Sequence, residues 1–77
     1  MAKVSNITKV YNRLIIEGER LLSEGQYRDA INKFDSALVV ALSLNDDSCT
    51  KAYRLLYTSV RFLFYYNLEP IDLMSSW

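Results

Sequence analysis

Apolar side chains return every three or four positions along this chain, in three blocks separated by short polar breaks. At about 100° per residue, Ile7, Val10, Tyr11, Leu14, Ile15, Gly18, Leu21 and Leu22 fall on one stripe, while Glu17, Glu19, Arg20 and Ser23 fall outside it. This predicts a first helix over 7–24, with Ser5 or Asn6 available to cap its exposed amides. Gly25 then supplies the left-handed residue that ends it. Tyr27, Ala30, Ile31, Phe34, Ala37, Leu38 and Ala41 repeat the pattern and predict a second helix over 27–44. Asp29 lies in its first turn, where a carboxylate favours the helix dipole. Gly25 and Gln26 leave only a very short connection, so the first two helices must fold back as an antiparallel hairpin.

Asn45, Asp46, Asp47 and Ser48 form the second break. Asp47 or Ser48 is the expected cap of a third helix over 48–66. Pro70 disfavours helix at Glu69, so this helix should end near Asn67, leaving 68–77 as a tail without a strong period. Within the third helix, Cys49, Tyr53, Leu56, Val60 and Leu63 share a stripe that can close a three-helix core. Leu55, Phe62 and Tyr66 fall on an adjoining face, and Tyr57 and Phe64 on the other side. Arg54, Thr58 and Arg61 make the polar strip, with Tyr65 beside it. The apolar arc spans about 220°, against somewhat over 100° for an ordinary surface helix. Either one side of this helix is an interface, or its long aromatics fold down around a small core.

Composition limits what such a chain can do. At 77 residues it is expected to be one domain, small enough to bury only about 60% of its unfolded surface. Small domains are usually reinforced by disulfides, a metal or association. Cys49 is the lone cysteine and there is no histidine, which argues against an internal disulfide or a zinc site and leaves association. Apolar residues make up 51% of the chain and the formal net charge is zero, so nothing pulls it over distance toward nucleic acid or anionic lipid. Residues 1–12 lack the apolar core of a signal peptide. The run from Leu55 to Leu68 contains Arg61 and is too short to span a bilayer. A cytoplasmic location is the expectation.

Few side chains suggest chemistry. With no histidine base, no phosphate-binding glycine loop and no poised carboxylate pair, no catalytic group and no cofactor is expected. Asp46 and Asp47 read as a solvated helix start rather than a cation site. Cys49 reads as a small apolar core residue. Lys51, Arg54 and Arg61, with no acid between Ser48 and Leu68, make the third helix locally basic, but the neutral whole argues for a solvated strip over nucleic-acid binding.

The stretch from Gly18 to Leu38 resembles a tetratricopeptide repeat. Gly18 matches the family's small residue in its first helix. Gly25 and Tyr27 match the turn glycine and the aromatic that follows. Ala30, Phe34 and Ala37 match the alanine, large aromatic and second alanine of its second helix. Small residues at 18, 30 and 37 would let two backbones approach closely, with Tyr27 and Phe34 filling the space beside them. The match covers about 34 residues, one repeat. The family's large residue early in the first helix is only Leu14 here, and its proline after the second helix is replaced by Leu42, so that helix is expected to be extended. The pattern is also similar to microtubule-interacting and trafficking domains, three-helix bundles whose middle helix spaces Tyr, Ala, aromatic and Ala alike. Their third helix is usually charged, whereas this one is aromatic.

The expected fold is therefore an all-α, three-helix, repeat-like antiparallel bundle. The expected function is a protein–protein interaction module, an adaptor that self-associates through the third helix. Leu55, Phe62 and Tyr66 would be central to the contact, with Tyr57 and Phe64, on the other side of the helix, as further candidates. The alternatives are a small regulator or inhibitor of an enzyme or transcription component, or a domain that binds a partner helix as the trafficking family does.

Overall fold

The computed structural model describes the backbone of residues 2–67 and the side chains of residues 6–66. It is a three-helix, all-α bundle: α1 is Ala2–Ser23, α2 is Tyr27–Ala41 and α3 is Asp46–Phe62, continued by a π-helical turn, Leu63–Asn67. The tail at 68–77 lies outside the described residues.

The first break forms as its glycine requires. Gly25 has φ of 81°, a backbone angle that L side chains rarely adopt. Around it, the Gln26 amide donates to the Leu21 carbonyl at 2.9 Å and the Gly25 amide donates to the Leu22 carbonyl at 3.1 Å. This crossed pair satisfies carbonyls that the end of α1 would otherwise leave open.

Helix limits differ from expectation at three places. The helix α1 begins at Ala2, so Ser5 and Asn6 lie inside it and do not cap it; nothing between Ala2 and Asn6 is a helix breaker. The helix α2 stops at Ala41 and is not extended. Its last carbonyls are taken up instead by a tightened turn, in which Ser43 donates to Val40 at 3.0 Å and Leu44 to Ala41 at 2.8 Å. The cap of α3 is Asn45, not Asp47 or Ser48. Its backbone is extended, and its side-chain oxygen accepts from the Ser48 amide at 2.8 Å. The four residues of that break are all capable caps, and the extended backbone at Asn45 decides among them.

The helix α2 is the shared element: α1 and α3 both pack along it, while α1 and α3 touch only marginally. Its predicted stripe is the inner face, with Ala30, Phe34, Ala37 and Ala41 fully buried and Tyr27, Ile31 and Leu38 half-buried. Tyr11 and Ile15 of α1 and Ala52 of α3 complete the core. Small residues on α2 let both neighbours approach. Phe34 then fills the space against Gly18, whose Cα faces the ring with no room for a side chain. One bond ties α1 to the start of α3: the Tyr11 hydroxyl donates to the Ser48 carbonyl at 2.9 Å.

The inner face of α3 is rotated from the expected stripe. Its fully buried residues are Ala52 and Ser59, with Leu55 and Leu56 packed against the core, and Tyr53 points outward at 59% exposure. Close approach to the alanine-lined face of α2 selects small side chains, and Ala52 and Ser59, two turns apart, supply them. Ser59 is buried without penalty because its hydroxyl donates to the Leu55 carbonyl at 2.9 Å.

Candidate interaction surface on helix 3

With Ala52 and Ser59 turned toward α2, the α-helical period of about 100° per residue directs Tyr53, Tyr57 and Arg61 away from it, and Phe64 and Tyr65 of the π-helical turn also lie outside. All five are exposed. Tyr53, Tyr57, Arg61 and Tyr65 are spaced by four and form a ladder along the helix. The rings of Tyr53 and Tyr57 stack with centroids 6.5 Å apart and planes 15° from parallel. The Arg61 guanidinium lies 5.8 Å from the centroid of Tyr57 and 5.8 Å from that of Tyr65. Both distances are within cation–π range.

A second aromatic cluster lies on the inner side. Tyr27 of α2 meets Phe62 edge-on at 5.9 Å, and Phe62 meets Tyr66 edge-on at 5.6 Å. Phe62 and Tyr27 are half-buried there, while Tyr66 covers them and is itself 69% exposed. These contacts close the end of the α2–α3 pair.

The five residues expected at the partner contact therefore do not share one patch. Leu55 packs against the core and Phe62 against Tyr27. Tyr66 stands at the edge of that cluster, and Tyr57 and Phe64 face outward with Tyr53 and Tyr65. Of the motif residues, Gly18, Ala30, Phe34 and Ala37 meet in the core, Gly25 makes the turn and Tyr27 joins the inner cluster. Sequence reasoning placed Tyr53 in the core and left Tyr65 at the margin. The pair Ala52 and Ser59 carried the signal that orients the helix, because two small residues seven apart mark its close-packing side.

Charge on α3 is segregated. Lys51, Arg54 and Arg61 are all exposed, and the carboxylates nearest them, Asp46 and Asp47, lie in the first turn of the helix. Among the described residues the ion pairs are Arg20–Glu24 and Lys33–Glu17, each at 3.2 Å, and neither involves α3. Beside the cations is a shallow depression of about 380 Å³ lined by Asp47, Thr50, Lys51, Arg54 and Leu55.

Another apolar surface lies where the first turns of α1 run past the end of α2. Ile7, Val10, Val39 and Val40 line a groove of about 360 Å³, with Asn6 and Ser43 at its margins. Among the described residues, no three His, Cys, Asp or Glu side chains stand together as a metal site, and no helix is long and apolar enough to cross a membrane. Cys49 is half-buried against the core.

Comparison with protein families, curated proteins and solved structures finds no match to this chain.

Proposed function

We propose that this protein is a protein–protein interaction module, a tetratricopeptide-like adaptor that docks through the outward face of α3. The carrying observation is the exposure of four large aromatics on one side of one helix. Tyr53, Tyr57, Phe64 and Tyr65 are 59%, 54%, 52% and 61% exposed. Scattered apolar residues are normal on a surface, but a contiguous aromatic face is characteristic of contact sites. The ladder also holds its rings in place before any partner arrives, which lowers the entropic cost of docking. The packing of Gly18 against Phe34, beside Ala30 and Ala37, supports the repeat-like description of the hairpin.

Self-association is a second reading, favoured by zero net charge and by the uncovered face of so short a chain. One experiment addresses both. A photo-crosslinking residue is placed at position 57 and, as a control, at position 28 on the exposed side of α2, in the host cell and in the purified protein. Adducts specific to position 57 are expected. A homodimer adduct in the purified protein identifies self-association, and a mixed adduct identifies another protein. Absence of any adduct specific to position 57 removes α3 as the docking face.

A further inference from the structure

We infer that the outward face of α3 takes an acidic segment of a partner protein, with carboxylates that meet Arg54 and Arg61 and apolar side chains that lie against the tyrosines. This rests on the reading of α3 as a docking face and adds the chemistry of its occupant.

Three observations carry it. First, the face is basic although the chain is neutral. From Ser48 to Asn67 there are three cations and no carboxylate, leaving six cations against nine carboxylates elsewhere. Second, those cations are not neutralised within the described fold, whereas Arg20 and Lys33 are paired with Glu24 and Glu17. Arg54 and Arg61 are seven residues apart, about 10 Å along the helix, so carboxylates two helical turns apart on a partner would answer them. Third, the ladder holds Arg61 between two rings. Its guanidinium carbon lies 5.8 Å from the centroids of both Tyr57 and Tyr65, and the residue is exposed. Its planar set of N–H donors matches the two oxygens of a carboxylate. Lys51 and Arg54 also line the depression near the start of the helix, together with Asp47, Thr50 and the edge of Leu55.

The same geometry argues against the other occupants. A nucleic-acid strand would stack its bases on open ring faces. Here Arg61 already lies against Tyr57 and Tyr65, and three cations between Ser48 and Asn67 do not make the continuous basic track that follows a nucleic-acid backbone. A twofold pairing of two copies through this face would bring its arginines together, and like charges brought together at a contact oppose it.

The test uses the full chain, labelled for amide NMR, and a synthetic amphipathic peptide with Glu residues two turns apart and Leu between them. A control peptide replaces each Glu by Gln. Shifts are expected on the outward positions of α3, with binding weakened about tenfold or more for the Gln peptide and for the Arg54→Gln/Arg61→Gln protein. Binding should also weaken as salt rises. The peptide comparison uses unaltered protein, so it stands even if the double variant folds poorly. The inference is overturned by no binding at millimolar Glu peptide, by equal binding of the two peptides, or by shifts on the Ile7–Val39 groove instead. It is equally overturned if oligothymidylate binds this face more tightly, or if α3 shifts with protein concentration alone. Crosslinking to another protein at position 57 without peptide binding would leave the module standing and remove the acidic chemistry.

Discussion

The ring of Phe34 stands where a side chain on Gly18 would begin. A Cβ built on Gly18 would lie 2.5 Å from Cε1 of Phe34 and 2.8 Å from both Cδ1 and Cζ. No real side chain tolerates such distances, and Phe34 is fully buried, so its ring has nowhere to retreat. Overpacking usually costs about 1–3 kcal/mol, against a gain of about 1 kcal/mol from replacing a helical glycine by alanine. Because the ring is fully buried, the upper part of that range applies, and Gly18→Ala should destabilise the fold by about 1–2 kcal/mol net. The contact also predicts coupling. Phe34→Leu leaves space that a methyl group at position 18 can use, so the double variant should lose less stability than the two single changes added together. Thermal denaturation followed by circular dichroism measures all three, and simple additivity would show that the ring is not what excludes a side chain at that position.

Gly25 is constrained for the opposite reason. No atom lies within 4 Å of a Cβ built there, but its φ of 81° is in the left-handed region. Gly25→Ala should cost about 1 kcal/mol, from backbone strain alone. Gly25→Asn should cost less, because asparagine tolerates that conformation. At Gly18 the order reverses, since Asn is larger than Ala and space is what is missing. Melting temperatures of the four variants check this crossing of ranks.

Tyr11 predicts a loss of stability at alkaline pH. Burial is the main reason its pKa lies above the ordinary 10.0; the neighbouring Ser48 pulls the other way, and Cys49 adds to the rise. Its bond to the Ser48 carbonyl exists only while the phenol keeps its proton. The folded state thus holds a proton that the unfolded chain releases near pH 10. The stabilisation is fully present below that pH and is lost as pH rises from there through the higher folded value. Tyr11→Phe should cost about 1 kcal/mol near neutrality, the value of a typical hydrogen bond. It should also flatten the fall of stability above pH 10. Urea denaturation of parent and variant across that range tests both, and parallel curves would rule out Tyr11 as the source.

Much of this fold was legible in the sequence because α2 has a single inner face. Its apolar stripe, from Tyr27 to Ala41, is the buried one, and Gly25 breaks the chain where its φ demands. The face of α3 was harder to orient because it is apolar over most of its circumference. Periodicity locates a helix, but it orients one only when polar residues mark the far side. Here Tyr53, Tyr57 and Phe64 are apolar and exposed, whereas Ser59 is polar and buried. The expected inner stripe of α3 runs through Tyr53, whereas Ala52 and Ser59 mark the side that packs. Close packing on Ala30, Ala37 and Ala41 selects that side, and the consequence is an aromatic face left outside.

Two aromatics five residues apart on α3 should therefore behave as opposites. Phe62 is half-buried and meets Tyr27 edge-on at 5.9 Å. An aromatic pair of this kind contributes about 0.5–1.5 kcal/mol beyond the area it buries. Phe62→Ser should destabilise the protein by about 2 kcal/mol or more, counting lost burial as well. Tyr57 is exposed, and its ring meets Tyr53 and Arg61 of its own helix. Tyr57→Ser should change stability by no more than about 0.5 kcal/mol, as surface substitutions do. Partner docking should rank them in reverse. Tyr57→Ser would retain the parent's melting temperature and circular dichroism while losing the position-specific contact on α3. Phe62→Ser would lose thermal stability and keep the contact at temperatures where it remains folded. Chemical denaturation and crosslinking from position 53 measure the two properties in the same pair of variants. A Tyr57→Ser protein that melts like Phe62→Ser would mean that the tyrosine ladder supports the bundle itself, and that the outward face of α3 is structural.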